Sequence, residues 1–180
     1  IQNYKGSIWT NLEIPSGDWK VQFNMAIPEG DGGGFGIWFV DKYGMDGDFF
    51  GGPTDFNGFA FIGEVKFNQE SSRTELLVSI IQNDGTQKAD VIGKVKIPLH
   101  HERPFTFSFD FNKQKVTVFR IDEDEGKIEL LSDEIRSPLE DLYLGITTQS
   151  GRRASTTILN AVRFILDHGH TMKSSDNVSY

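Results

Sequence analysis

Acidic and amide oxygens are the chemistry this chain offers most freely. Asp41, Asp46, Asp48 and Asp55 lie in one loop, interspersed with Gly44, Gly47, Gly51 and Gly52. A loop this long inside a compact β-domain is functional or disordered. Phe49, Phe50 and Phe56 argue for order, so the loop is read as placed to bind something. Asp84-Gly85 follows Asn83 as a hairpin signal. Arg152-Arg153 is a charged pair on a polar loop, suited either to hydrogen-bonding a ligand or to balancing an acidic surface. His100-His101 and His168-Gly169-His170 are of metal-ligand type but lack partners at metal spacing. No Ser/His/Asp or Cys nucleophile set is present, and the chain has no cysteine at all, which excludes disulfides and thiolate metal sites.

The elements that must carry these residues are strands. Residues 34–40 and 59–62 are short, uncharged and rich in β-formers, as expected of strands buried on both faces. They flank the acidic loop. Residues 19–27 alternate Trp19, Val21, Phe23, Met25 and Ile27 with Lys20, Gln22 and Asn24, a half-buried antiparallel strand. Phe105, Phe107, Phe109 and Phe111 form a similar aromatic face. Further strands are expected at 7–14, 74–82, 88–97, 116–121, 127–131, 142–148 and 158–166. Residues 64–69 are read as running off the second core strand into a polar loop at 68–73. Ser137-Pro138-Leu139-Glu140 reads as a capping box opening one helical turn. About ten antiparallel strands predict an all-β, two-sheet antiparallel sandwich.

The chain has 180 residues, a formal net charge of −8 and 15 Phe. That length fits one domain with ample core material. The acidic balance argues against nucleic acid, whose phosphates need a basic face. No stretch reaches the length of a transmembrane helix and no signal peptide is recognisable. A glycosylation sequon stands at Asn177-Val178-Ser179.

Several motifs occur in a specific order: Gly6-Ser7-Ile8-Trp9-Thr10, Asp18-Trp19, GGFGIWF at 33–39, Phe49-Phe50-Gly51-Gly52, Asp55, and Asn57-Gly58 with the strand after it. In that order the chain resembles the L-type (legume-like) lectin domain, nearest the branch of early-secretory-pathway cargo receptors. The resemblance covers residues 6–167. It implies a jelly-roll, concanavalin A-like sandwich over 1–167, followed by a polar C-terminal tail at 168–180. The family has further strands before residue 6, so the chain is expected to be processed or trimmed. It also lacks the disulfide of the animal cargo receptors.

The resemblance implies a Ca²⁺ site, here degraded, that fixes a sugar site. Its ligands would be Glu64, the carbonyl of Lys66, Asn68 and Asp84. Glu64 replaces an Asp, and Ile81 replaces the His three residues before Asp84. The bland readings remain open: Asp84-Gly85 as a plain turn and Glu64 as a solvated charge. The sugar would be held by position 33, Asn68 and the loop Ser150-Gly151-Arg152. At position 33 the family has an Asp that accepts hydrogen bonds from two hydroxyls; this chain has Gly33, with Asp31 two residues upstream.

Three functions follow. One is a non-catalytic carbohydrate-recognition domain for high-mannose glycans on glycoprotein cargo in the ER–Golgi lumen. It implies no nucleic-acid partner and membrane anchoring only outside this chain. A second is a pseudo-lectin, its sugar site lost, that contacts proteins. The third, a glycoside hydrolase, needs two spaced carboxylates, and Lys66 stands where the middle acid belongs.

Overall fold

The computed structural model describes residues 4–15, 17–27, 32–85, 89–99, 104–136, 140–151, 158–166 and 171–173. Twelve strands are found among them: β1 (Lys5–Glu13), β2 (Trp19–Ala26), β3 (Gly33–Val40), β4 (Asn57–Asn68), β5 (Arg73–Asp84), β6 (Asp90–Pro98), β7 (Phe105–Asn112), β8 (Lys115–Asp122), β9 (Gly126–Glu134), β10 (Tyr143–Ser150), β11 (Ile158–Leu166) and β12 (Thr171–Lys173). They form two antiparallel six-stranded sheets. One runs β1-β10-β3-β4-β5-β6 and the other β12-β11-β2-β7-β8-β9. The expected sandwich is therefore what the chain forms.

Period-2 alternation explains how the sheets stack. Trp19, Val21, Phe23 and Met25 of β2 meet Phe105, Phe107, Phe109 and Phe111 of β7 on the inner face of the second sheet. Phe35, Ile37 and Phe39 of β3 and Phe59 and Phe61 of β4 do the same from the first sheet. The rings interlock across the gap: Trp19 stacks on Phe39 at 5.3 Å and Phe61 meets Phe109 edge-on at 5.0 Å. Such pairs add specificity to a core already driven by apolar burial.

Two expectations change. β4 extends through Glu64, Lys66 and Asn68, where the sequence pattern predicts departure from the strand into a loop. Val65 is buried in the core between them, so the polar residues are the solvent side of one continuous strand. β12 at 171–173 pairs with β11, so the second sheet reaches into the segment read as tail. The capping box at 137–139, both histidine pairs and the sequon lie outside the described residues.

On the outer side of the second sheet, Asp110 takes Lys127 at 2.9 Å and Lys20 at 3.5 Å. Burial pushes its carboxyl up. The hydrogen bond and charge of Lys127, the Ser108 hydroxyl and Lys20 outweigh that and hold it below its ordinary 3.8. A depressed carboxyl stabilises the fold above its unfolded pKa and loses that contribution as pH falls through the lowered value. Asp110→Asn should therefore lower the melting temperature at neutral pH, and the gap to wild type should close as pH drops below 3.8. Melting curves at stepped pH check this; a gap independent of pH would refute it.

Candidate functional site

β3 has apolar residues on both faces because the sheet's outer face is also covered. Trp38 points outward and is fully buried, with Val40, Ala60, Ile62, Ile81, Phe56 and Trp9 around it. The cover is the loop at 41–56. Phe56 meets the Trp38 ring edge-on at 5.2 Å and Phe49 does so at 6.3 Å. Gly36 and Gly52 lie against the indole, where any Cβ would collide with it. Trp38 Nε1 donates to Thr147 Oγ1 at 2.8 Å, which satisfies a donor that burial would otherwise orphan.

The loop's acids are mostly tied down. Asp48 pairs with Lys5, and Asp46 accepts from Ser7 Oγ at 2.9 Å, so β1 holds the loop from the side. The Lys5 hydrogen bond and charge keep the Asp48 carboxyl below its ordinary range. Asp41 accepts from Asn57 Nδ2 at 3.3 Å. The loop read as placed to bind is thus pinned by its own carboxylates, and only Asp55 is exposed with no partner shown for it.

The loop's tip closes a notch at one end of the outer face. Phe49 and Gly52 exchange backbone hydrogen bonds around Phe50 and Gly51, whose φ angles are 52° and 83°. Both are left-handed, as a two-residue type I′ turn requires. A bulky residue is strained there, the kind of strain found at functional sites. The turn seats the half-buried Phe50 ring over Gly34, where its Cδ1 is 3.0 Å from the place a Cβ would take. Gly34 pairs with Glu64 on one side and Gln149 on the other. Gly33 pairs with Ser150, beside Gly151. Phe50, Glu64 and Gln149 therefore converge with the backbone of Gly33, Gly34 and Gly151. Phe50 and Gln149 were not among the expected site residues. The Phe-Phe-Gly-Gly motif was visible, but its turn type depends on the bridge from Phe49 to Gly52.

The expected sugar residues meet unequally. Gly33, Ser150 and Gly151 come together; Arg152 lies outside the described residues. Gly33 offers backbone only, and a Cβ there would lie 2.5 Å from Gly151 N. Ser150 is buried, and its hydroxyl accepts from Tyr4 N at 2.9 Å.

The expected metal ligands do not assemble. Glu64, Lys66 and Asn68 share the outer side of β4, but Asp84 pairs with Asn57 at the other end of the hairpin. Glu64 pairs with Leu77, and the seven residues from Leu77 to Asp84 span about 23 Å at strand rise. Asn68 Oδ1 accepts from Glu70 N at 3.0 Å and Ser71 N at 3.3 Å, and its amide donates to Glu75 Oε1 at 3.1 Å. It caps the turn. Lys66 Nζ lies 3.4 Å from Glu64 Oε2. Calcium wants six to eight oxygens; these residues supply one carboxylate already facing an ammonium. No cluster of three or more acidic, His or Cys side chains suited to a metal occurs among the described residues. The residues present do not fit Ca²⁺.

Comparison with known proteins agrees with this architecture. The chain is 25% identical to mouse (Mus musculus) Protein ERGIC-53 over 89 residues, 47% of this chain but 17% of that protein. Human Protein ERGIC-53 matches at the same identity and extent. Among solved structures, the exoplasmic/lumenal domain of VIP36 in its Ca²⁺/Man3GlcNAc-bound form superposes with a TM-score of 0.78 at 18% identity, covering 92% of this chain and 75% of that one. The Emp47p carbohydrate recognition domain gives 0.66 at 18% identity, covering 91% and 78%. These superpositions establish the fold. Among the described residues no helix is long and apolar enough to cross a membrane. The model of the legume-like lectin family matches residues 1–159, which include both sheets' central strands and the notch between Gly34 and Gly151, and the chain belongs to that family.

Proposed function

We propose that this domain is a non-catalytic carbohydrate-recognition module for mannose-type glycans on glycoprotein cargo in the lumen of the ER and Golgi. The observation that carries the reading is the notch at Gly34. A half-buried aromatic ring, a carboxylate and an amide share one end of the sheet with close-packed glycine backbone. Such a set suits a sugar, with ring C–H faces on Phe50 and hydroxyls on Glu64 and Gln149. The VIP36 domain of the same fold is solved with Man, Man2 and Man3GlcNAc. The carboxylate that grips sugar here is Glu64 on β4, since position 33 has none. A second acid for hydrolysis is missing two residues further on, where Lys66 stands.

Charge-assisted hydrogen bonds from sugar hydroxyls are the strong ones in such a site. Glu64→Gln should weaken binding of high-mannose glycans about tenfold or more, with the fold unchanged. A glycan array followed by titration calorimetry measures this. Silence of the wild-type domain on the array would sink the sugar reading and leave the protein-contacting pseudo-lectin.

A further inference from the structure

We propose that Lys66 stands in place of a metal ion, so that this domain works without calcium. The inference rests on the reading of the notch as the ligand site, but its central observations are independent of any sugar. In a metal-organised site a divalent cation would draw Glu64 and Asn68 toward one point and balance the Glu64 charge. In this chain each has another partner.

Asn68 is held by three neighbours at the β4–β5 turn. Its carbonyl oxygen takes the amides of Glu70 and Ser71, and its amide reaches Glu75. The turn itself is short, four residues between Asn68 and Arg73, with Ser72 at φ 52°. Nothing is left of a loop long enough to wrap an ion. The tight hairpin also fixes the register that sends Asp84 to the far end. Ile81, where the resembled pattern has a His, is buried in the apolar cover with Ala60 and Ile62. A metal-adjacent imidazole is therefore replaced by packing.

Glu64 retains its carboxylate on the notch, and Lys66 is its counter-charge. The two share one strand side, two residues apart, so the pairing is built into β4 and needs no loop. The pair is partly exposed, so its contribution to stability is small. Its role is orientation and charge balance at the ligand face, and an ammonium beside the carboxylate opposes entry of a divalent cation. The carboxylate can then accept hydroxyl donors on its other lone pairs.

The test is thermal melting of the intact domain in a few millimolar CaCl₂ and in EDTA, alongside the glycan array in the same two buffers. Binding to the folded state raises the melting temperature by mass action, so a real calcium site would shift it by roughly 5 °C or more. The expected result is no shift, and the same array signal in both buffers. A saturable calcium-dependent rise in wild type, lost in Glu64→Gln, would overturn the proposal. The melt reads the metal without sugar, so the two readings fail separately. An unshifted melt with a silent array upholds the calcium-free domain and sinks the glycan reading. A calcium-shifted melt with calcium-dependent glycan binding does the reverse.

Discussion

Trp38→Ala should lower the stability of the domain by about 3–5 kcal/mol, in the range of large aromatic truncations in cores. It should also lift the loop at 41–56 off the sheet. Trp38 has no exposed surface and lies against Gly36 and Gly52, which have no side chains to move into the space it leaves. Phe49 and Phe56 lose their shared partner. Thr147, fully buried, loses the donor to its hydroxyl. Urea unfolding gives the stability change, and amide exchange across 41–56 gives the loop's release. A domain that loses stability while its loop amides stay protected would show that the Lys5 and Ser7 tethers, not the indole, hold the loop. Trp38→Phe keeps an aromatic ring but loses the hydrogen bond to Thr147, worth about 1 kcal/mol, and part of the indole's volume, so it should cost less than Trp38→Ala and leave the loop seated.

The second large effect is at Gly33. Restoring the acid expected there, Gly33→Asp, should cost about 2–4 kcal/mol and gain no ligand affinity. Gly33 sits at φ 78°, and its Cβ would fall 2.5 Å from Gly151 N and 2.6 Å from Gln149 O. Both obstacles are backbone, one in β10 and one just past its end, and cannot swing aside. Gly44→Asp is the control. Gly44 has a similar φ of 72° but nothing within 4 Å of a new Cβ, so it carries the conformational strain alone, about 1 kcal/mol. Equal losses at the two positions would show that the end of β10 yields, and the grip on ligand would then be open to redesign. Denaturation midpoints of both variants decide it.

The difference between these two glycines shows what could be read from the chain. Alternation in β2 and β7 marked their inner faces directly, because each residue's side depends only on its neighbours. The aromatic motifs around Gly34 and Asn57 placed the central strands and their family. Other features needed partners distant in sequence. That Gly33 is closed off depends on Ser150 and Gly151, more than a hundred residues on, lying alongside it. That Asp84 stands apart from Glu64 depends on where the hairpin turns, and Gln69 to Ser72 did not look like a tight turn beside so many charges. The polar side chains of Glu64, Lys66 and Asn68 mask a strand whose inner side carries Val65. The acids of the loop at 41–56 suggested a ligand because their partners on β1, Lys5 and Ser7, lie some forty residues upstream.

The pairing of β1 with β10, and of β10 with β3, sets the order in which this domain comes into being. The run β3-β4-β5-β6 is sequential and closes as it is made. β1 must wait for β10, a delay of roughly ten seconds or more at ordinary rates of synthesis. During that interval Trp9 has no Gly145 to rest on, and the β3 edge stands open with its aromatics unsheltered. Contacts so distant along the chain also slow folding after release. The end of the sheet carrying Phe50, Glu64 and Gln149 is completed only when β10 docks. The emerging polypeptide therefore lacks that end of the sheet and is prone to stray edge pairing until β10 is present, and protection by chaperones matters most in that window.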